Sequence, residues 1–470
     1  MSDGKIEKKR KKRYNTRPSN NDKRRKKVII SDDESDSEDE DYNPDDVFKS
    51  IVFSFVPPED DESENNKKDK YDEYLDTLKK KDKQALLKKE KNLYNDQKKL
   101  IPLKYKIINS NLSDKNKIYI LDKIKHFDTL NNFSSEYFKL KKYMNNIEQI
   151  PFGIYKNLGI DKTNNSSQIN NYLNNIKTGL DDCIFGQDKA KNSLIEIIAK
   201  WITNPSANGN IVGLCGPPGV GKTSLIKNGL AKIIELPFSF ISLGGLSDAS
   251  GLTGFEYTYE GAKCGRIVEM LMENKCMNPI IFFDELDKVS ETKNGEELVS
   301  VLIHLTDPTQ NNSFLDKYFS GIEFDLSKTF IIFSFNDENR INPILKDRIS
   351  VVNFDSFSQE DKVRIAKDYS IPKICKNIGL GLDIFDIPES TIRKIVSNYC
   401  FEKGVRKLEQ CLEKIIMKIN LYNLTKNVKY LSIEEDIEKP YKIDDQLATK
   451  ILDPIYNNNQ GDISMRMMYS

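Results

Sequence analysis

The chain has 470 residues, with 72 basic and 72 acidic side chains, so its net charge is zero although 31% of it is charged and only 38% hydrophobic. That length allows about two to four domains, and that polar balance leaves part of the chain unable to bury a core. No long apolar run is present, so no membrane span is expected.

The opening MSDGKIEKKRKKR lacks the apolar centre of a secretory signal. Seven cysteines (Cys183, Cys215, Cys264, Cys276, Cys375, Cys400, Cys411) show no C-x-x-C spacing. This argues against a zinc site or a disulfide framework and for a reducing compartment. The two histidines, His126 and His304, are too few and too far apart for the common histidine-based metal sites or triads.

Residues 1 to about 68 read as a disordered charged tail. Basic clusters at Lys8–Arg13 and Lys23–Lys27 suggest a bipartite nuclear-import signal or a nucleic-acid arm, with a solvated tail as the bland alternative. Import receptor or nucleic acid is therefore an expected partner, and the expected location is intracellular, cytoplasmic or nuclear. Serines in the acidic run Ser31–Asp41 suit phosphorylation. The apolar island Val47–Val56 reads as a docking segment or a collapsed piece of tail.

From Tyr71 to about Lys99 a Lys-rich stretch with thinly spaced leucines reads as one long charged helix. Ser113 to Phe127 reads as another helix. Ser134 is a good N-cap for a third, which Pro151-Phe152-Gly153 breaks. A polar spacer from about Asp161 to Asn174 leads to a globular body beginning near Leu180. In that body strands at Ile211–Cys215, Phe238–Leu243, Pro279–Phe283, Phe330–Phe335 and Val351–Phe354 alternate with helices. This is the pattern of a parallel sheet covered on both faces. Beyond Ser358, helices at Gln359–Asp368, Glu389–Tyr399 and Val405–Leu424 predict a small helical domain.

Gly216-Pro217-Pro218-Gly219-Val220-Gly221-Lys222-Thr223, followed by Ser224, has the spacing G-x-x-x-x-G-K-T between a strand and a helix. That is a P-loop, whose glycines let backbone N–H groups curl around phosphates. Lys222 would reach the β- and γ-phosphates of ATP, and the Thr223 hydroxyl would hold Mg²⁺. Asp284-Glu285 closes the apolar run Ile280–Phe283. Asp284 would orient the Mg²⁺ through water, and Glu285 would polarise the attacking water.

From about Pro102 to Pro454 the chain resembles Lon, the AAA+ ATP-dependent protease. The resemblance is carried by Ser242-Leu243-Gly244-Gly245 with Asp248, by Tyr259, Gly261 and Gly265-Arg266-Ile267, and by Asp284-Glu285-Leu286-Asp287-Lys288. It continues through Asp307-Pro308, Gln310-Asn311, Phe314, Asp316, Tyr318, Phe324–Lys328, Gly404-Val405-Arg406 and Leu408-Glu409. It implies an AAA+ P-loop NTPase: a parallel sheet sandwiched by helices, followed by a small helical domain and preceded by a helical neck and the disordered tail.

It further implies that Asn336 is the sensor-one residue, Arg348 an arginine finger serving a neighbouring subunit, and Arg406 the sensor-two arginine. Ile184-Phe185 would line the adenine pocket. A finger in trans implies a homo-oligomer, expected as a hexameric ring. Tyr259 matches the pore-loop aromatic that grips an unfolded polypeptide, or is a packed loop aromatic. Glu260 departs from the apolar residue that the family has there.

The expected bounds are a tail (1–68), a neck (69–156), a linker (157–179), the large α/β domain (180–357), the small helical domain (358–455) and a flexible tail (456–470). Tyr430 to Ser470 has no glycine- and proline-framed catalytic serine, so peptidase activity is not expected from this chain. The family's N-terminal substrate-recognition domain is likewise expected to be replaced by the charged tail. The leading expectation is an Mg²⁺-dependent ATPase that unfolds, remodels or threads protein clients. Its alternatives are the motor of a protease whose peptidase is a separate chain, and a nucleic-acid-associated, nucleotide-switched scaffold.

Overall fold

The computed structural model describes residues 70–95, 102–289, 292–427 and 439–456. The basic clusters, the acidic serine run, the Val47–Val56 island and residues 457–470 lie outside them. Lys70–Thr77 and Lys80–Asn95 form two helices, where one long helix was expected. They belong to a unit separate from the one that begins at Lys99.

The second unit is built on the apolar runs. Five parallel strands lie in the order Phe238–Ser242, Ile280–Asp284, Phe330–Phe335, Ile211–Cys215, Ser350–Asn353. Side chains alternate along each strand and so face opposite layers. Ile281 and Phe283 join the core with Ile331 and Phe333, under the helices Arg266–Asn274 and Lys293–Thr306. Ile280 and Phe282 join the opposite core with Val212, Leu214 and Ile332, under the helices Ser166–Cys183 and Asp188–Thr203. Burial on both faces explains why these runs carry no polar alternation. The register sets Ser242 beside Asp284 and Cys215 beside Phe335, so the carboxyl ends of the strands meet at one edge.

The stretch read as a polar spacer is helical from Ser166 onward. Its many asparagines hide a stripe, Ile169, Leu173, Ile176 and Leu180, at helical spacing, and Ile176 and Leu180 are fully buried. Asp188–Thr203 is a further helix that the sequence reading did not assign. The P-loop helix begins at Lys222–Ser224, widens into a π turn over Leu225–Leu230, and ends at Ala231–Ile233.

The expected neck helices form as Asp114–Thr129 and Ser135–Gln149. Ser113 and Ser134 cap them, their hydroxyls accepting from the Asn116 and Tyr137 N–H groups. Tyr143, fully buried, packs 4.8 Å from Tyr257 and 5.4 Å from Phe319, ring to ring. The helix Ser135–Gln149 is therefore packed against the base of the 254–265 loop.

That loop is anchored at its other end by Asp316, whose carboxylate accepts from the backbone N–H groups of Gly265 (2.7 Å), Tyr318 (2.9 Å) and Phe319 (3.2 Å). Burial pushes the Asp316 pKa up to about 6 against the pull of those N–H groups. Asp316→Ala leaves buried donors unpaired and is expected to cost about 3 kcal/mol in urea denaturation at neutral pH. The raised pKa also has a sign. The folded state holds this proton more tightly than the unfolded one, so the stabilisation it supplies is complete below about pH 4 and lost as pH rises through about 6. That slope should be absent in Asp316→Asn.

Beyond Ser358 the chain forms a small helical body. Its helices include Ile371–Ile378, Glu389–Tyr399, Arg406–Thr425 and Asp445–Tyr456. Leu408, Cys411, Leu412, Ile415, Ile416 and Ile419 make a buried stripe at helical spacing through its core.

Candidate active site

The strand edge and the small helical body close on one cavity of about 360 Å³. Pro218, Gly219, Val220, Gly221, Lys222, Thr223 and Ser224 form its floor. Gly219 and Gly221 hold φ of +80° and +94°, the left-handed conformations that let a P-loop curl. Gly216 and Pro217 belong to the same turn but do not line the cavity. A side chain at Gly216 would meet the Phe354 backbone at 2.8 Å.

Lys222 is buried, and its ammonium donates to the carbonyls of Gly216 (2.5 Å) and Phe335 (2.9 Å) and to Asn336 Oδ1 (2.8 Å). Burial lowers its pKa, with Asp284 and other neighbours opposing. Three acceptors offset the cost of desolvating the charge. This ammonium ties the P-loop to the end of the Phe330–Phe335 strand.

Asp284 and Glu285 also line the cavity. Asp284 ends its strand half-buried, its carboxylate accepting from the Glu285 N–H at 3.0 Å. Glu285 is exposed, with φ of +60°, a conformation costly for a side chain with a Cβ. Its Oε2 accepts from the Ser242 hydroxyl at 3.2 Å. Gly244 leaves room for it, since a Cβ there would lie 2.6 Å from Glu285 Oε2. Thr223 and Asp284, a hydroxyl and a carboxylate lining the same cavity, are hard oxygen donors of the kind that suits Mg²⁺ beside phosphates.

The other wall is built further along the chain. Ile184 and Phe185 line the cavity with Tyr369, whose ring stands edge-on to Phe185 at 6.4 Å. The Tyr369 hydroxyl donates to the Asp181 carbonyl at 2.9 Å. Arg406 begins the Arg406–Thr425 helix and lines the cavity, as do Lys373 and Glu409. The turn before Arg406 is pressed against the P-loop, with the Val405 N–H donating to the Gly219 carbonyl at 3.1 Å.

The structure thus brings together Lys222, Thr223, Asp284, Glu285, Asn336, Ile184, Phe185 and Arg406. It does not bring Arg348 there. Arg348 pairs with Asp307 at 2.8 Å and donates to the Ile303 carbonyl at 3.1 Å. Hydrogen bonds from Thr309, with Arg348 adding to them, hold the Asp307 carboxyl near 2. Tyr259 and Glu260 lie in the 254–265 loop, both exposed and away from the cavity. Sequence reasoning missed Tyr369 and Lys373. Four residues apart on one helical run, they carry no spacing linked to the P-loop. Glu409 stood in a noted motif without a role.

Residues 212–355 match the model of the AAA family, "ATPase family associated with various cellular activities". Residues 376–430 match the "Lon protease AAA+ ATPase lid domain". The chain is 37% identical over 326 residues to a Lon protease homolog of Acanthamoeba polyphaga mimivirus, covering 68% of this chain and 31% of that protein. It is 34% identical to a mitochondrial Lon protease homolog of Dictyostelium discoideum, over 66% of this chain and 31% of that one. It is 31% identical to the Lon protease of Chlamydia pneumoniae, over 73% of this chain and 40% of that one. The chain therefore spans between 31% and 40% of the length of these relatives. Through an AAA ATPase core followed by a Lon-type lid, it belongs to the Lon family of AAA+ proteins.

Proposed function

We propose that this chain hydrolyses ATP with Mg²⁺ and uses the energy to unfold, remodel or thread protein clients. The observation that supports it best is the convergence of Lys222, Thr223, Asp284, Glu285, Asn336 and Arg406 on one cavity walled by both core and lid. Lys222, the P-loop N–H groups and Arg406 would hold the phosphates. Thr223 and Asp284 would hold Mg²⁺, which would supply charge neutralisation for the phosphates. Glu285 would take the proton of the attacking water, and Asn336 would position that water. Peptide hydrolysis is not part of this reading, since each of these residues serves a nucleotide.

Arg348, outside the cavity of its own chain, is free of any duty to its own nucleotide. That suits a finger for a neighbour's γ-phosphate and a ring, expected to be hexameric. Tyr259, 65% exposed, sits on a loop whose base is fixed by the neck and by Asp316. An exposed aromatic on a braced loop suits a grip on a passing polypeptide, with Glu260 making the contact more acidic.

A second reading is the motor of an ATP-dependent protease with its peptidase on a separate chain. The names of the relatives, Lon protease and Lon protease homolog, favour it. The test is phosphate release from ATP by the purified chain, with Mg²⁺ and with chelator. Release that requires Mg²⁺ is expected, and no release in either condition would sink the proposal. A peptidase co-purifying in stoichiometric amount would select the second reading.

A further inference from the structure

We propose that Glu409, held by Lys373, reads the ribose of the bound nucleotide and makes the site prefer ribonucleotides to deoxyribonucleotides. This rests on the ATP-binding reading above. Apart from Asp284 and Glu285, Glu409 is the sole carboxylate among the described residues that line the cavity. A carboxylate in a cavity built for a polyphosphate repels its ligand unless its charge is compensated. Lys373 Nζ, 3.0 Å from Glu409 Oε1, compensates it and fixes its orientation.

Position decides what the pair can touch. Arg406, beside the backbone of Gly219, marks the phosphate end of the cavity. Glu409 lies three residues further along the same helix, one turn on and on the same face. Phe185 and Tyr369 mark the apolar end, which suits a base. Lys373 follows Tyr369 by four residues, again about one turn. A nucleotide reaching from Gly219–Thr223 to Phe185 and Tyr369 has its sugar between those ends, beside the pair.

The chemistry fits a sugar better than any other part of the nucleotide. A carboxylate is acceptor-only and repels phosphate, whereas ribose offers two adjacent hydroxyl donors. One ion pair does not exhaust the two carboxylate oxygens, so Glu409 can accept from the 2′-hydroxyl while Lys373 holds it, the pairing acidic residues make with ribose in dinucleotide sites. Deoxyribose lacks that donor and leaves the acceptor unanswered.

The test is calorimetric titration of the full chain with ATP and with 2′-deoxy-ATP, in wild type, Glu409→Ala, Glu409→Gln and Lys373→Met. Wild type is expected to bind ATP about tenfold more tightly than 2′-deoxy-ATP, the worth of a hydrogen bond to a charged group. In Glu409→Ala the ATP affinity falls by that factor and the preference disappears. Glu409→Gln, which keeps an uncharged acceptor, gives an intermediate ratio. Lys373→Met weakens both nucleotides through the uncompensated carboxylate and keeps the preference. A merely structural role for Glu409 would move both nucleotides equally, and that result overturns the assignment, as does an indifferent wild type. If ATP binds and is hydrolysed while the ratio is unchanged in Glu409→Ala, the ribose assignment falls alone. If wild type binds no nucleotide, the ATPase reading falls and takes this one with it.

Discussion

Glu285→Gln is expected to leave ATP bound and to cut phosphate release by about a hundredfold or more, the usual worth of a positioned general base. Glutamine keeps the volume and reach of the side chain, so the Ser242 hydroxyl still has an oxygen to donate to and Gly244 still leaves it space. It cannot take a proton from water. The backbone at this position is already held at φ +60°, a cost the fold bears in wild type and variant alike. Binding should be spared because Lys222, the P-loop and Arg406 are untouched. Measuring ATP affinity and single-turnover phosphate release on the same preparation separates the two effects. Equal turnover in variant and wild type would remove Glu285 from the role assigned to it. A variant that holds ATP without spending it should also retain its client, so affinity capture with it identifies what the chain acts on.

How much of this was legible in the sequence differs from residue to residue. The P-loop and Asp284-Glu285 were legible because each is a local device. Glycines at fixed spacing make the turn, and an unbroken apolar run delivers the carboxylates to the edge of a buried sheet. The strand order was not local, yet Ile280–Phe283 and Phe330–Phe335 announced themselves as central by lacking polar alternation. Arg406 was placed by resemblance, and only the fold shows why it arrives. The lid folds back until Gly404 touches Pro218, across a long separation in the chain. Helix Ser166–Cys183 was missed because asparagine composition masked its stripe. Helix Ile371–Ile378 was missed because Pro372 looks like a breaker, whereas the chain stays helical from Gln359 through a π turn at Ala366–Ser370 and on past the proline. With that helix went Lys373, and with it any reason to ask what Glu409 does.

The contact at Gly404 carries the second large effect. A Cβ on Gly404 would stand 2.2 Å from the Pro218 carbonyl oxygen, 2.7 Å from the Gly219 carbonyl carbon and 2.9 Å from Gly219 Cα. All three are backbone atoms, so no side chain can rotate aside, and the seam between lid and P-loop must open. The Val405 N–H would then lose the Gly219 carbonyl, and the helix carrying Arg406 and Glu409 would leave the cavity wall. Gly404→Ala is therefore expected to weaken ATP binding at least thirtyfold, or about 2 kcal/mol, and to depress turnover further because Arg406 leaves the phosphates. The lid itself should stay largely folded, since Leu408, Cys411, Leu412 and Ile415 are fully buried in its own core, which Val405 only borders. Gly379→Ala is the matching control. Gly379 sits at φ +78° with nothing within 4 Å of an added Cβ, so that change strains the backbone of the lid without touching the P-loop. It should lower the melting temperature by a few degrees, for a cost of about 1 kcal/mol, and leave ATP affinity alone. If Gly404→Ala binds ATP as wild type does, the lid is not what holds the nucleotide in place, and Arg406 loses its assigned part in the site.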